Sequence, residues 1–147
     1  MAVMVHIDRL TAAVRARGLR MTDPRRRVLA ALAGSQHQTP EQILQVVTDD
    51  GGSELPPSTI YRTLQALEEA GVVAHTHLDH GPPTYQLAGP HRHLHLVCRS
   101  CKTVSELPSE HAAALVGTIR SETGFRADPT HMAIHGRCAR CAGEEDR

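Results

Sequence analysis

Two Cys-x-x-C pairs, Cys98-Arg99-Ser100-Cys101 and Cys138-Ala139-Arg140-Cys141, constrain this 147-residue chain more than any other feature. Such a turn aims both sulfurs at one tetrahedral ion, with zinc–sulfur distances near ~2.3 Å. Thirty-six residues separate Cys101 from Cys138, more than a simple zinc ribbon uses. The insert must therefore carry structure of its own, and the metal joins its beginning to its end. Buried free thiols or a redox pair are the competing readings. Met1 to Ile7 lacks the charged-then-apolar pattern of a secretory signal, and thiols in a reducing cytoplasm read as ligands rather than disulfides. Four thiolates fill a tetrahedral ion, so Cys98, Cys101, Cys138 and Cys141 are expected to hold a structural zinc, not a catalytic one.

The rest of the composition points to two small lobes. Tyr61, Tyr85 and Phe125 are the only aromatic residues and Trp is absent, so any core is aliphatic. Lobes of this size are marginal alone, and a metal staple or a partner subunit is expected. No apolar run approaches the roughly 18 residues needed to cross a bilayer. Formal charge is zero overall, yet residues 1–40 carry seven arginines against two aspartates, a net +5. That excess fits a polyanionic partner, or merely solvated helix faces.

Periodicity divides the chain. Ile7, Leu10 and Val14 recur at helical spacing until Gly18. Thr22 can cap a second helix with Val28, Leu29 and Leu32 inward, and Thr39-Pro40-Glu41 opens a third with Ile43, Leu44, Val46 and Val47 inward. Ser58 can cap a fourth helix, Thr59 to Ala70, with Gly71 after it. Val72 to Leu78 alternates and Thr84 to Leu87 returns, a short hairpin. Helices closed by a hairpin describe a winged helix-turn-helix. Leu87-Ala88-Gly89-Pro90 reads as a linker. Beyond it, strands at 93–98, 103–107 and 131–136 surround a helix from about Ser109 to Thr123. The expected class is α+β, with a winged-helix DNA-binding domain over 1–87, a hinge at 88–91 and an α/β dimerisation and metal-binding domain over 92–147.

Histidine is abundant, with eleven in the chain. On a strand, His91, His93 and His95 would share one face and Leu94 and Leu96 the other. Three neutral imidazoles on one face are natural ligands of one or two ions, although a surface histidine patch gives the same pattern. His75 and His77 would pair on the wing strand, and His131 and His135 on the last strand. His37 stands alone. In Pro57-Ser58-Thr59-Ile60-Tyr61-Arg62, hydroxyls at a helix N-terminus can donate to phosphates. One turn in, Arg62 can read guanine and the Tyr61 ring can pack on a thymine methyl.

Taken in order, these segments resemble the ferric uptake regulator family. Thr22-Asp23-Pro24-Arg25 looks like its T-x-P-R segment, and Ser58 to Leu64 like its S-T-V-Y-R-T-L recognition helix. His93 to Cys101 is similar to its H-x-H-L-I-C-x-x-C stretch, and Gly136 to Cys141 to its terminal G-x-C-x-x-C. The resemblance implies a cytoplasmic homodimer that is not an enzyme. It represses transcription by binding a palindromic operator in double-stranded DNA when loaded with a regulatory metal. It implies DNA contacts at Arg25, Ser58, Thr59, Tyr61 and Arg62, and interdomain metal ligands at His37, His93 and His95. An ion holding His37 of the first lobe and histidines past the linker would favour one closed state of the dimer. No cysteine is left over for the wing-region ligand usual in zinc sensors. Gln86 stands where peroxide sensors have aspartate and iron sensors commonly have glutamate. With His91 joining His37, His93 and His95, and with His75, His77 and His131 as a second set, the pattern is most similar to the nickel-responsive (Nur-type) branch. Nickel is then the expected regulatory ion, with iron or zinc as alternatives, and Glu106 is a further candidate ligand. The reading from another class is a histidine-cluster metallo-hydrolase with Glu106 as base.

Overall fold

The computed structural model describes the backbone of residues 2–35, 37–89 and 93–143, with side chains from residue 7 onward. It divides into two compact units, Met1–Thr76 with Pro82–Ala88, and His77–Gly81 with Gly89–Arg147. His91 lies outside the described residues.

The first unit is helical. Helices α1 (Ala2–Ala16), α2 (Asp23–Gly34), α3 (Pro40–Asp49) and α4 (Pro57–Glu69) precede strands β1 (Val73–Thr76) and β2 (Thr84–Leu87). The core is aliphatic, as so few aromatics require: Val14, Val28, Leu29, Leu32, Ile43, Val47, Ile60, Leu64 and Leu67 are buried together. Thr22 caps α2, its Oγ1 accepting from the Arg25 N–H at 3.4 Å. At α3 a full capping box forms between Thr39 and Gln42. Three sequence expectations need correction here. Val46 points outward at 44% exposure, because α3 buries a narrow Ile43–Val47 stripe. Ser58 is not a cap; Pro56 occupies that place without a side-chain bond, and the helix begins two residues earlier, at Pro57. Arg27 is buried on the inner side of α2 and so leaves the basic surface. Its guanidinium donates to both Asp50 carboxylate oxygens at 2.8 and 2.9 Å, to the Val47 carbonyl at 2.8 Å and to the Ser53 carbonyl at 2.7 Å. The α3–α4 connection is thereby tied to α2.

Strands β1 and β2 pair antiparallel from Val73↔Leu87 to Thr76↔Thr84. Gln38 adds a bridge to Tyr85 on the same hairpin, with backbone bonds of 3.1 and 2.7 Å. This fixes the segment that carries His37, whose φ is 60°. Histidine tolerates that left-handed region better than most residues.

The second unit is a three-stranded sheet in the order β4-β3-β5, with β3 (His93–Cys98) antiparallel to β4 (Val104–Pro108) and parallel to β5 (Ala133–Gly136). A 3-10 turn (Ser109–Ala112), α5 (Ala113–Thr123) and a second 3-10 turn (Pro129–His131) make the crossover, and the short α6 (Ala139–Ala142) follows β5. The helix expected from Ser109 thus starts tightly and becomes α-helical at Ala113. His131 falls in the 3-10 turn, so it does not share a strand face with His135. The α5 helix buries none of its residues, and Leu115, Phe125 and Ile134 are exposed.

Candidate metal centres and nucleic-acid interface

The cysteine site follows from strand pairing. Because β3 and β5 run parallel with Cys98 opposite Gly136, both Cys-x-x-C turns emerge at the same end of the sheet. The Arg99 N–H donates to the Gly136 carbonyl at 2.8 Å and locks that register. The first turn closes through the Lys102 N–H to the Cys98 carbonyl at 2.9 Å, with Lys102 in the left-handed region at φ 63°. Cys138 sits just before α6 and directs its N–H at the Cys98 sulfur, 3.4 Å away. All four sulfurs lie within 4.8 Å of one another.

This geometry fits zinc. A tetrahedron with bonds of about 2.3 Å has an edge of about 3.8 Å, and the Cys101 and Cys138 sulfurs are 3.8 Å apart. The cysteines are free thiols, with no disulfide among them. Their acidities diverge as sulfurs crowded together must. The Thr103 hydroxyl, with its backbone amide, lowers Cys101 to about 5. The Cys101 amide, followed by that of Cys138, holds Cys98 below its usual value. The neighbouring Cys138 sulfur and then burial push Cys141 up to about 12. Four thiolates cannot all ionise side by side without a cation, and a divalent ion is what would let them.

A second donor set lies on the same sheet. His95 is fully buried at 0% exposure, and its ring stands edge-on to that of His93 with centroids 4.9 Å apart. Glu106 on β4 is the register partner of His95, and its carboxylate reaches the His93 Nε2 at 3.2 Å. One ligand atom from each of His93, His95 and Glu106 lies within 4.8 Å of the others. His93 and His95 therefore share one face of β3, as the spacing predicts, and Leu94, buried like His95, lies on the other.

The remaining histidines are placed differently from expectation. β1 ends at Thr76, so His75 and His77 do not share a strand face, and His77 clusters with the second unit. The Nδ1 of His75 pairs closely with Glu68, and its ring tilts against Tyr85 at 5.8 Å. His131 Nε2 lies 3.7 Å from Asp128, and His135 Nε2 is 2.5 Å from the Leu78 carbonyl.

In the first unit, Thr22, Pro24, Arg25, Thr59, Arg62 and Thr63 line a groove of about 180 Å3 where α2 and α4 begin. Arg62 is exposed, its Nε donating to the Ser58 carbonyl at 3.3 Å. The first turn of α4 carries no acidic residue, which leaves its N–H groups and positive dipole end compatible with an anion. Tyr61 is 49% exposed and donates its hydroxyl to Glu41 at 2.8 Å. Glu41 was missed by sequence reasoning, where an acidic residue in a first turn reads only as a helix start.

Comparison with known proteins agrees over most of the chain. The family model described as the Ferric uptake regulator family matches residues 16–135. The ferric uptake regulation protein of Neisseria meningitidis serogroup A is 30% identical over 132 residues, covering 88% of this chain and 91% of that protein. The crystal structure of the Vibrio cholerae ferric uptake regulator superposes with a TM-score of 0.71 at 27% identity, covering 87% of this chain and 98% of that one. A zinc uptake regulator solved with zinc and DNA shares the fold at a TM-score of 0.72 and 22% identity, over 100% of this chain and 99% of that one.

Proposed function

Because the chain belongs to the ferric uptake regulator family, we propose that it is a metal-responsive transcriptional repressor that binds a palindromic DNA operator as a homodimer. The observation that carries this reading is the second donor set, His93, His95 and Glu106, built beside a cysteine site that is already closed. A closed site supplies stability; a separate one with imidazole and carboxylate donors is where a regulatory ion would act. Family membership leaves the hydrolase reading without support.

Zinc belongs to Cys98, Cys101, Cys138 and Cys141. His93 and His95 are the core of the regulatory set. His37 joins it by the motif resemblance, His91 by its spacing to His93 and His95, and Glu106 is an added ligand. Nickel is the regulatory ion this imidazole-rich set favours. The Glu106 oxygen beside His93 favours iron as the second reading. A second ion at His75, His77 and His131 belongs to the same proposal. Glu68 against the Nδ1 of His75 is the kind of carboxylate that orients a ligating imidazole.

Arg25, Ser58, Thr59 and Arg62 contact the backbone and bases where α2 and α4 begin, with Tyr61 beside them. Dimerisation accounts for the apolar surface of the second unit, where Phe125 is 64% exposed and α5 buries nothing within one chain. A two-fold dimer presents two recognition helices to half-sites about 34 Å, or a multiple, apart. The test is metal analysis of the purified protein followed by operator titrations with nickel, iron, manganese and zinc. The reading expects one tightly held zinc per chain and the largest gain in operator affinity with nickel. Operator affinity unaltered by any of the four would overturn it.

A further inference from the structure

The Glu41–Tyr61 contact ties the first turn of α3, where a carboxylate suits the helix dipole, to α4 at the protein surface. Both side chains are exposed, so neither fills the core. The groove lined by Arg25, Thr59 and Arg62 holds no carboxylate, and the first turn of α4 carries none. Next to Arg62 on α4, Tyr61 donates its hydroxyl hydrogen bond to the Glu41 carboxylate at 2.8 Å, and hydrogen bonds to an ionised acceptor are the strong ones. The two residues close a groove of about 280 Å3 with Pro40, Leu44, Pro57 and Ile60. Prolines begin both helices and stiffen the places from which the two side chains project.

From this geometry we propose that Glu41 is a positioning residue for base reading: it tethers Tyr61 so that the ring faces DNA as an apolar plate whose hydroxyl can only accept. The chemistry follows from the proton. A phenol whose single O–H is committed to Glu41 has none left to donate to a phosphate oxygen. It can still accept from the exocyclic amino group of adenine or cytosine, and its ring edge can pack on a thymine methyl. The tether also removes rotamer freedom before binding, which is worth about two- to tenfold in affinity for one side chain. The proposal rests on the DNA-binding reading above and adds the residue that sets the aim of Tyr61.

Four variants test it: Glu41→Ala, Glu41→Gln, Tyr61→Phe and the Glu41→Ala/Tyr61→Phe double substitution. With two tyrosines and no tryptophan, tyrosinate absorbance follows ionisation directly. The Glu41 carboxylate raises the Tyr61 ionisation point above its ordinary value, so Glu41→Ala should lower it and Glu41→Gln should lie nearer to Glu41→Ala, having lost the charge. In operator titrations, Glu41→Ala should cost about two- to tenfold on operator DNA and nothing on random DNA, while Glu41→Gln, still an acceptor, recovers most of the loss. In the Tyr61→Phe background Glu41→Ala should add nothing. Additive losses, or equal losses on operator and random DNA, would overturn the tether. If the wild type fails to discriminate operator from random DNA, the repressor reading has failed, and the absorbance titration still judges the Glu41–Tyr61 bond by itself.

Discussion

Arg27 shows how one residue's role depends on a single rotation about a helix. Six of the seven arginines in the first forty residues reach solvent, whereas Arg27 is 9% exposed and grips Asp50 with two hydrogen bonds. The guanidinium's hydrogen bonds, ahead of the Gly52 amide, hold the Asp50 carboxyl below its ordinary range. A group whose folded acidity is stronger than its unfolded acidity contributes stability above the unfolded value, near pH ~4, and loses it as pH falls through the lower folded value. Asp50→Asn should therefore reduce amide-exchange protection in α2 and α3 at neutral pH. The gap to wild type should stay constant down to about pH 4 and close below it. A gap that persists unchanged in stronger acid would show that charge is not the cause. In the sequence Arg27 was indistinguishable from Arg25 and Arg26, because a run of three arginines on a helix spans both faces. The cysteines were legible for the opposite reason: two short spacings admit few geometries, and the 3.8 Å sulfur–sulfur separation lies within them. His91 lies outside the described residues, and its part in the ligand set rests on its spacing to His93 and His95.

At the scale of elements, what sequence patterns conveyed well were helices with strong stops. Thr22, the Thr39-Pro40-Glu41 start and the left-handed Gly71 bound their helices as expected. What they conveyed poorly was the burial of strand faces. Alternation puts His93 and His95 on one face and Leu94 on the other, as found, but it does not say that both faces are covered: Leu94 and His95 are both buried. Parallel pairing of β3 with β5 was not legible either, since it depends on the crossover rather than on either strand's composition. That pairing makes the zinc staple matter. The two Cys-x-x-C turns hold together strands that pair over the short register His95↔Ala133 to Cys98↔Gly136. In small modules structural zinc contributes on the order of 10 kcal/mol of apparent binding energy at neutral pH. Cys138→Ser should release the zinc and abolish amide-exchange protection in β3 and β5, while α1 to α4 keep theirs. Protection of β5 that survives loss of the metal would mean the sheet stands without its staple.

For the whole molecule, the two units divide labour by chemistry: an aliphatic helical unit carries the arginine-lined groove, and a sheet unit carries the four cysteines with His93, His95 and Glu106. Neither reading of function is complete with one unit. A repressor controlled by metal requires that ion and operator favour the same state of the dimer, and linkage makes that requirement reciprocal. The most direct test is therefore calorimetric titration of nickel into zinc-replete protein, with and without a saturating operator duplex. The account predicts that operator tightens nickel binding by about 5- to 150-fold, the usual range of allosteric coupling, and by the same factor as nickel tightens operator binding. Nickel affinity that is the same with and without DNA would contradict it.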